Sequence, residues 1–327
     1  MAAGTDRPAT AQLDVAGELD RSADEAMRSV ESGDIATALV HARDAVAQAE
    51  RHPTDRGTHL AFRALGTAER SRGRYTAAER AFQHALKAAE AALGPASYEV
   101  GELWNDLGMT YKYAGRLADA EAAYGRALAI IESETTPDAD SLAALYHNLG
   151  GLSHARSDFA EAEGHARRSI EIRSGALGTR DVAVLLDRSA HAAILDGLGR
   201  FDEAEAEILD ILDDLAGTLG DDHPEVAVGR NNLAALLQRR GDLDGAERLY
   251  RQALKAKADR LGPDSPELAV AINNLGTVLR ARGRVADARA QYERAIVLLE
   301  GAVEPDHPNL RAIRRNLDRL GAEDGSA

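Results

Sequence analysis

From Glu102 to Ile130 the chain reads ELWNDLGMTYKYAGRLADAEAAYGRALAI. Apolar or small residues at Leu103, Trp104, Leu107, Gly108 and Tyr111 recur at intervals of three and four, which lines one face of a helix. Gly115 then breaks the pattern, as a residue free to adopt positive φ does at a helix end. A second helical stripe follows through Leu117, Ala120, Tyr124, Ala127 and Leu128. The stretch is a helix–turn–helix hairpin. Its turn has equivalents along the whole chain, at Gly33, Gly73, Gly115, Ser157, Gly199, Gly241 and Gly283. The first step is 40 residues and the next five are 42 each. A period in this range marks an array of stacked units rather than a single globular core.

The hairpin resembles the tetratricopeptide repeat family. Trp104, Leu107, Gly108 and Tyr111 meet the pattern W-x2-L-G-x2-Y, and Ala120 with Tyr124 meets A-x3-F/Y. The second signature recurs as Ala78/Phe82, Ala246/Tyr250 and Ala288/Tyr292. Leu-Gly pairs close the second helices at Leu93/Gly94, Leu177/Gly178, Leu219/Gly220 and Leu261/Gly262. The 42-residue period, with LGDDHPEVA at Leu219–Ala227, LGPDSPELA at Leu261–Ala269 and Asn-Asn-Leu runs at Asn231 and Asn273, is similar to the kinesin light chain type of repeat. The expected fold is therefore all-α: a right-handed α-solenoid of about seven helical pairs with a C-terminal capping helix.

The expected boundaries are a disordered lead-in over 1–18, a solenoid over 19–320 and a disordered tail over 321–327. Repeats are expected at 19–50, 58–92, 97–133, 141–176, 181–218, 224–260 and 266–302, and a cap at 307–320. The first pair is divergent, with Ala26 where later repeats carry glycine.

Composition narrows the function. A net charge of −15 argues against a phosphate-backbone partner for the whole surface. The absence of cysteine excludes disulfides and thiolate metal sites. No apolar run is long enough to span a membrane, and Met1 to Asp14 has no apolar core for export, so a cytoplasmic protein is expected. Only 4 of 39 basic residues are lysine, a bias associated with GC-rich bacterial genomes. No phosphate-binding loop, nucleophile elbow or metal-ligand motif is present, so neither cofactor nor enzymatic activity is expected. Nothing in the sequence demands a homo-oligomer.

In arrays of this family the first helix of each pair lines the concave groove. One groove position reads Ala64, Asp106, Asn148, Ala190, Asn232, Asn274 and Asn316. The resemblance implies that Asn148, Asn232, Asn274 and Asn316 clamp the backbone of an extended peptide, with Asn231 and Asn273 beside them. Asparagine offers both donor and acceptor for this. The same amides could instead bond to the neighbouring repeat and hold the helices in register. Arg63, Arg70, Lys112, Arg239 and Arg280, set against Glu102, Asp106 and Asp196, give a mildly basic groove suited to an acidic or C-terminal segment.

Mid-chain the pattern breaks. His147 and His154 lie seven apart on one helix face with Gly151 between them, and Asp196, Asn105 and Asp106 occupy neighbouring repeats. They form a candidate pocket for a partner's side chain, with an acid–base or metal site as the lesser reading. The expectation is a noncatalytic protein–protein interaction module. A ligand-responsive sensor acting on a separate effector is the alternative.

Overall fold

The computed structural model describes residues 21–51, 57–303, 305 and 307–324, of which 322–324 are described by backbone alone. The expected lead-in lies outside the described residues. Contact density divides the chain at 141/142. The first unit holds three hairpins: a helix over 21–31 (α1) with α2 Ile35–Arg51, α3 Gly57–Ser71 with α4 Tyr75–Leu93, and α5 Tyr98–Tyr113 with α6 Leu117–Ile131. The second begins within α7 Ala139–Ala155, which pairs with α8 Phe159–Leu177. Then come α9 Val182–Gly197 with α10 Phe201–Leu219, and α11 Pro224–Arg240 with α12 Leu243–Leu261. The 3-10 turn Pro266–Leu268 leads into α13 Ala269–Ala281, which pairs with α14 Val285–Leu299, and α15 Pro308–Asp324 ends the series. No strand occurs among the described residues, and the architecture of each unit is an all-α repeat stack. α15 runs on through residues 321–324, so that part of the expected tail is helix.

The turns explain the register. All seven positions have positive φ, from 65° at Ser157 to 89° at Gly241. A second glycine series between hairpins, Gly94, Gly178, Gly220 and Gly262, has φ of 85–95° and ψ near 155°, a region open essentially to glycine alone. Position 136, where this second series would place a glycine, is Thr136 in the sequence TTPDAD; the division between the units follows five residues later.

Inside each hairpin the signature residues pack as their sizes dictate. Ala78, Ala120, Ala162, Ala204, Ala246 and Ala288 are fully buried where the helices approach. Phe82, Tyr124, Tyr250 and Tyr292 are buried beside them. Three of these rings lie flat against a glycine of the first helix: a Cβ on Gly66, Gly108 or Gly276 would stand 2.8, 2.4 and 2.6 Å from Phe82, Tyr124 and Tyr292. The N-caps of the first helices recur too, as Ser97, Asp181, His223 and Ser265 accept from backbone N–H groups of the first turn. His307 does the same through Nδ1 to Asn309 N–H. His223 and His307 are thus capping residues.

Several first helices of successive hairpins touch: α3 with α5 in the first unit, and α9, α11, α13 and α15 in sequence in the second. These helices, together with α7, carry the residues singled out in the sequence.

Candidate functional site: the layer of first helices

In the second unit the asparagines form a ladder. Asn274 donates from Nδ2 to Asn231 Oδ1 at 3.4 Å, and Asn316 donates to Asn273 Oδ1 at 2.9 Å. Each rung joins residues 43 apart, one repeat plus one position, because neighbouring helices meet with that offset. A rung uses one amide proton and one carbonyl oxygen, so each side chain keeps hydrogen-bonding capacity on its other lone pair or N–H. Asn231, Asn232, Asn273, Asn274 and Asn316 remain partly exposed, whereas Asn148 is buried. The column thus bonds between repeats and still leaves part of these five side chains accessible.

The first unit carries an ionic version of the same rung. Arg63, one position before Ala64, reaches Asp106 from Nε at 2.8 Å and Glu102 from Nη1 at 2.8 Å. Arg70 adds a second bond to the Asp106 carboxylate at 3.0 Å. Burial alone would raise the carboxyl pKa of Asp106, but the two guanidiniums outweigh it and hold it below the usual 3.8. Lys112 is different. Desolvation, helped by the charge of Arg70, pushes its ammonium down to about 8, and it lies 5.3 Å from the Tyr113 ring centroid.

Arg239 binds Asp196 at 2.8 Å, and Arg280 is also engaged. Three of the cations expected to make this face basic are thus neutralised by the three acids expected to oppose them. Pairing was invisible in the sequence because it depends on the one-position offset between helices.

The mid-chain residues separate. Asn105 and Asp106 belong to the first unit; His147, Gly151, His154 and Asp196 belong to the second. In the second unit His147, Gly151 and His154 line a cavity of about 130 Å³ between α7, α8 and α9, with Asp187 in its wall. Asp196 is not part of it. Its Oδ2 is held by Arg239 and its Oδ1 is buried without a hydrogen-bond partner; burial lifts its pKa despite Arg239 and His154. No group of three potential metal ligands occurs among the described residues.

Sequence reasoning missed Asp187 and Arg173. Asp187 is 1% exposed; Arg173 Nη1 binds its Oδ2 at 2.6 Å, and His147 Nδ1 meets its Oδ1 at 2.8 Å. His154 packs edge-on to Phe159, with centroids 5.4 Å apart. The signal that could have found the cavity lies at Ala166, which stands where other hairpins carry Phe82, Tyr124, Tyr250 and Tyr292.

No helix among the described residues is long and apolar enough to cross a membrane. No curated protein sequence matches the chain at a significant level. Solved structures do match. A Rap protein complexed with competence and sporulation factor aligns with TM-score 0.65 and 13% identity, over 94% of this chain and 88% of that one. A tetratricopeptide repeat protein from Parabacteroides merdae aligns with TM-score 0.58 and 15% identity, over 93% and 99%. A putative kinesin light chain repeat protein from Podospora anserina aligns with TM-score 0.50 and 19% identity, over 61% and 94%. At these identities the likeness is one of fold. The tetratricopeptide repeat family model matches residues 57–133, 99–175, 181–259 and 230–300, well over half of the chain. The repeated hairpins, their glycine–aromatic packing and these matches together make the chain a member of the tetratricopeptide repeat family.

Proposed function

We propose that the layer of first helices α11, α13 and α15 holds an extended segment of a partner protein. The fold is that of a protein–protein interaction scaffold. The observation that carries the reading is the asparagine ladder: its rungs fix Asn231, Asn273, Asn274 and Asn316 in place, Asn232 lies beside them, and all five stay partly exposed. A preorganised amide loses little entropy on binding, so each bond to a peptide backbone contributes about 0.5–1.5 kcal/mol net. Preference for an acidic segment is not part of this reading, since Arg63, Arg70 and Arg239 already hold carboxylates.

The test is quantitative capture from a lysate of the native host, followed by peptide arrays tiling each captured protein. Asn232→Ala combined with Asn274→Ala is expected to weaken binding at least about tenfold while the circular dichroism spectrum is unchanged. Equal affinity of the double variant for every peptide would sink the reading.

A further inference from the structure

The hairpin α7/α8 keeps one half of a packing device and lacks the other. In three hairpins a glycine on the first helix exists because an aromatic ring from the second lies against it, at Gly66/Phe82, Gly108/Tyr124 and Gly276/Tyr292. In α9/α10 and α11/α12 the platform is alanine, at Ala192 and Ala234, and Ile208 or Tyr250 packs beside it. Gly150 is the platform in α7/α8, but its partner position is Ala166. A Cβ on Gly150 would make only ordinary contacts with α8, at 3.4 Å from the Ala162 carbonyl oxygen, 3.5 Å from the Ala166 backbone nitrogen and 3.6 Å from His165 Cβ, so no ring presses on this glycine. The ring is absent, and beside Ala166 lies a cavity of about 130 Å³ lined by Gly150, Gly151, Ala166, Ser169 and Ile194, with Ala190 and Ala193. An engineered apolar cavity of about 150 Å³ in another protein takes up benzene, so a single six-membered ring is of the right size.

The polar wall selects among rings. Asp187 is buried and bound by the Arg173 guanidinium, so it is the anionic partner and the His147 Nδ1–H donates to it. In the neutral imidazole that fixes Nε2 as an acceptor. His154 lines the same cavity. A ligand that fills the space and uses the wall therefore combines one ring with one hydrogen-bond donor.

We propose that this cavity binds a phenol, whose ring fills the space beside Ala166 left by the missing aromatic side chain and whose hydroxyl donates to His147 Nε2. The proposal does not rest on the asparagine ladder, and its test is separate. Titration of the full chain with p-cresol, followed by NMR or calorimetry, is expected to saturate at or below about 1 mM, with toluene at least about fivefold weaker. Ala166→Phe is expected to abolish p-cresol binding and raise Tm, since it restores the ring from within. Ala166→Val, a smaller fill, should weaken binding if the larger variant fails to fold. His147→Ala should bring p-cresol down to the level of toluene while toluene is unaffected. N-acetyl-tyrosinamide binding as well as p-cresol would identify a protein side chain as the source of the ring; p-cresol binding alone would identify a free phenol. No saturation by p-cresol up to about 10 mM, or undiminished binding to a folded Ala166→Phe, would overturn the proposal. Asn232→Ala with Asn274→Ala should leave p-cresol binding unchanged, so failure here and failure of the groove reading are distinguishable.

Discussion

Asp106 and Lys112 sit six residues apart on α5 and show opposite outcomes of burying a charge. Asp106 is 6% exposed; Arg63 and Arg70 each donate one charge-assisted bond to its carboxylate, and Arg70 also donates to its backbone carbonyl. Asp106→Ala leaves Arg70 with no carboxylate and Arg63 with Glu102 alone, and is expected to destabilise the protein by about 3 kcal/mol in urea unfolding. The native pKa lies below the ordinary 3.8, so the unfolded state binds more protons in the window beneath that value. The contribution is complete above the ordinary pKa and lost as pH falls through the native one. The Tm gap between wild type and Asp106→Asn should therefore narrow steadily once the pH drops below about 4.

At Lys112 the direction reverses. Its ammonium is disfavoured by desolvation and titrates at about 8 rather than 10.5. Between those values the unfolded chain holds a proton that the native one has released, so stability rises with pH across that window. Lys112→Met should raise Tm at pH 7 and abolish that rise, as thermal melts from pH 7 to 10 would reveal. An unchanged rise would mean that the lysine is solvated in the native state.

At the scale of the element, Ser157 tests what the turns require. It holds φ of 65° at the one hairpin turn without glycine, and a left-handed conformation costs a non-glycine residue about 1–2 kcal/mol. Ser157→Gly should stabilise the protein by about 1 kcal/mol in urea; no change would mean that the Ser157 side chain compensates the strain. The turns were legible in the sequence because each demands a backbone state that few residues adopt. The six first-helix starts expected from Thr58 to Pro266 all lie within two residues of the observed elements for the same reason. The asparagine column was legible as a column, but not its bonding, which depends on how far one helix slides against the next. The cavity was half legible. His147, Gly151 and His154 line it, whereas Asp196, grouped with them through repeat alignment alone, lies outside it and pairs with Arg239. Ala166 gave no signal, because a missing side chain leaves no mark in a hydrophobic pattern.

At the scale of the molecule, a repeat stack is held by contacts between neighbours, so damage should stay local. The C-terminal end of the second unit offers the sharpest test. Leu310, Ile313 and Leu320 of α15 are buried in one cluster with Leu268, Ile272, Leu275 and Leu279 from the α13 region and Leu299 of α14. The outward face of α15 carries Arg311, Arg314, Arg315 and Arg319, none of them buried, so it ends the apolar stack with a solvated surface. Ending the chain before Pro308 removes that cover and also the Asn316–Asn273 rung. Leu279 and Leu299 are then exposed, and α13/α14 loses the partner on one side while keeping α12 on the other. Native-state hydrogen exchange should show protection falling most in α13 and α14, less in α11 and α12, and little in α9 and α10. A uniform loss of protection across residues 142–307 would mean that the second unit unfolds as one cooperative block. The asparagine ladder would then read out the stability of the whole unit rather than of its own neighbouring hairpins.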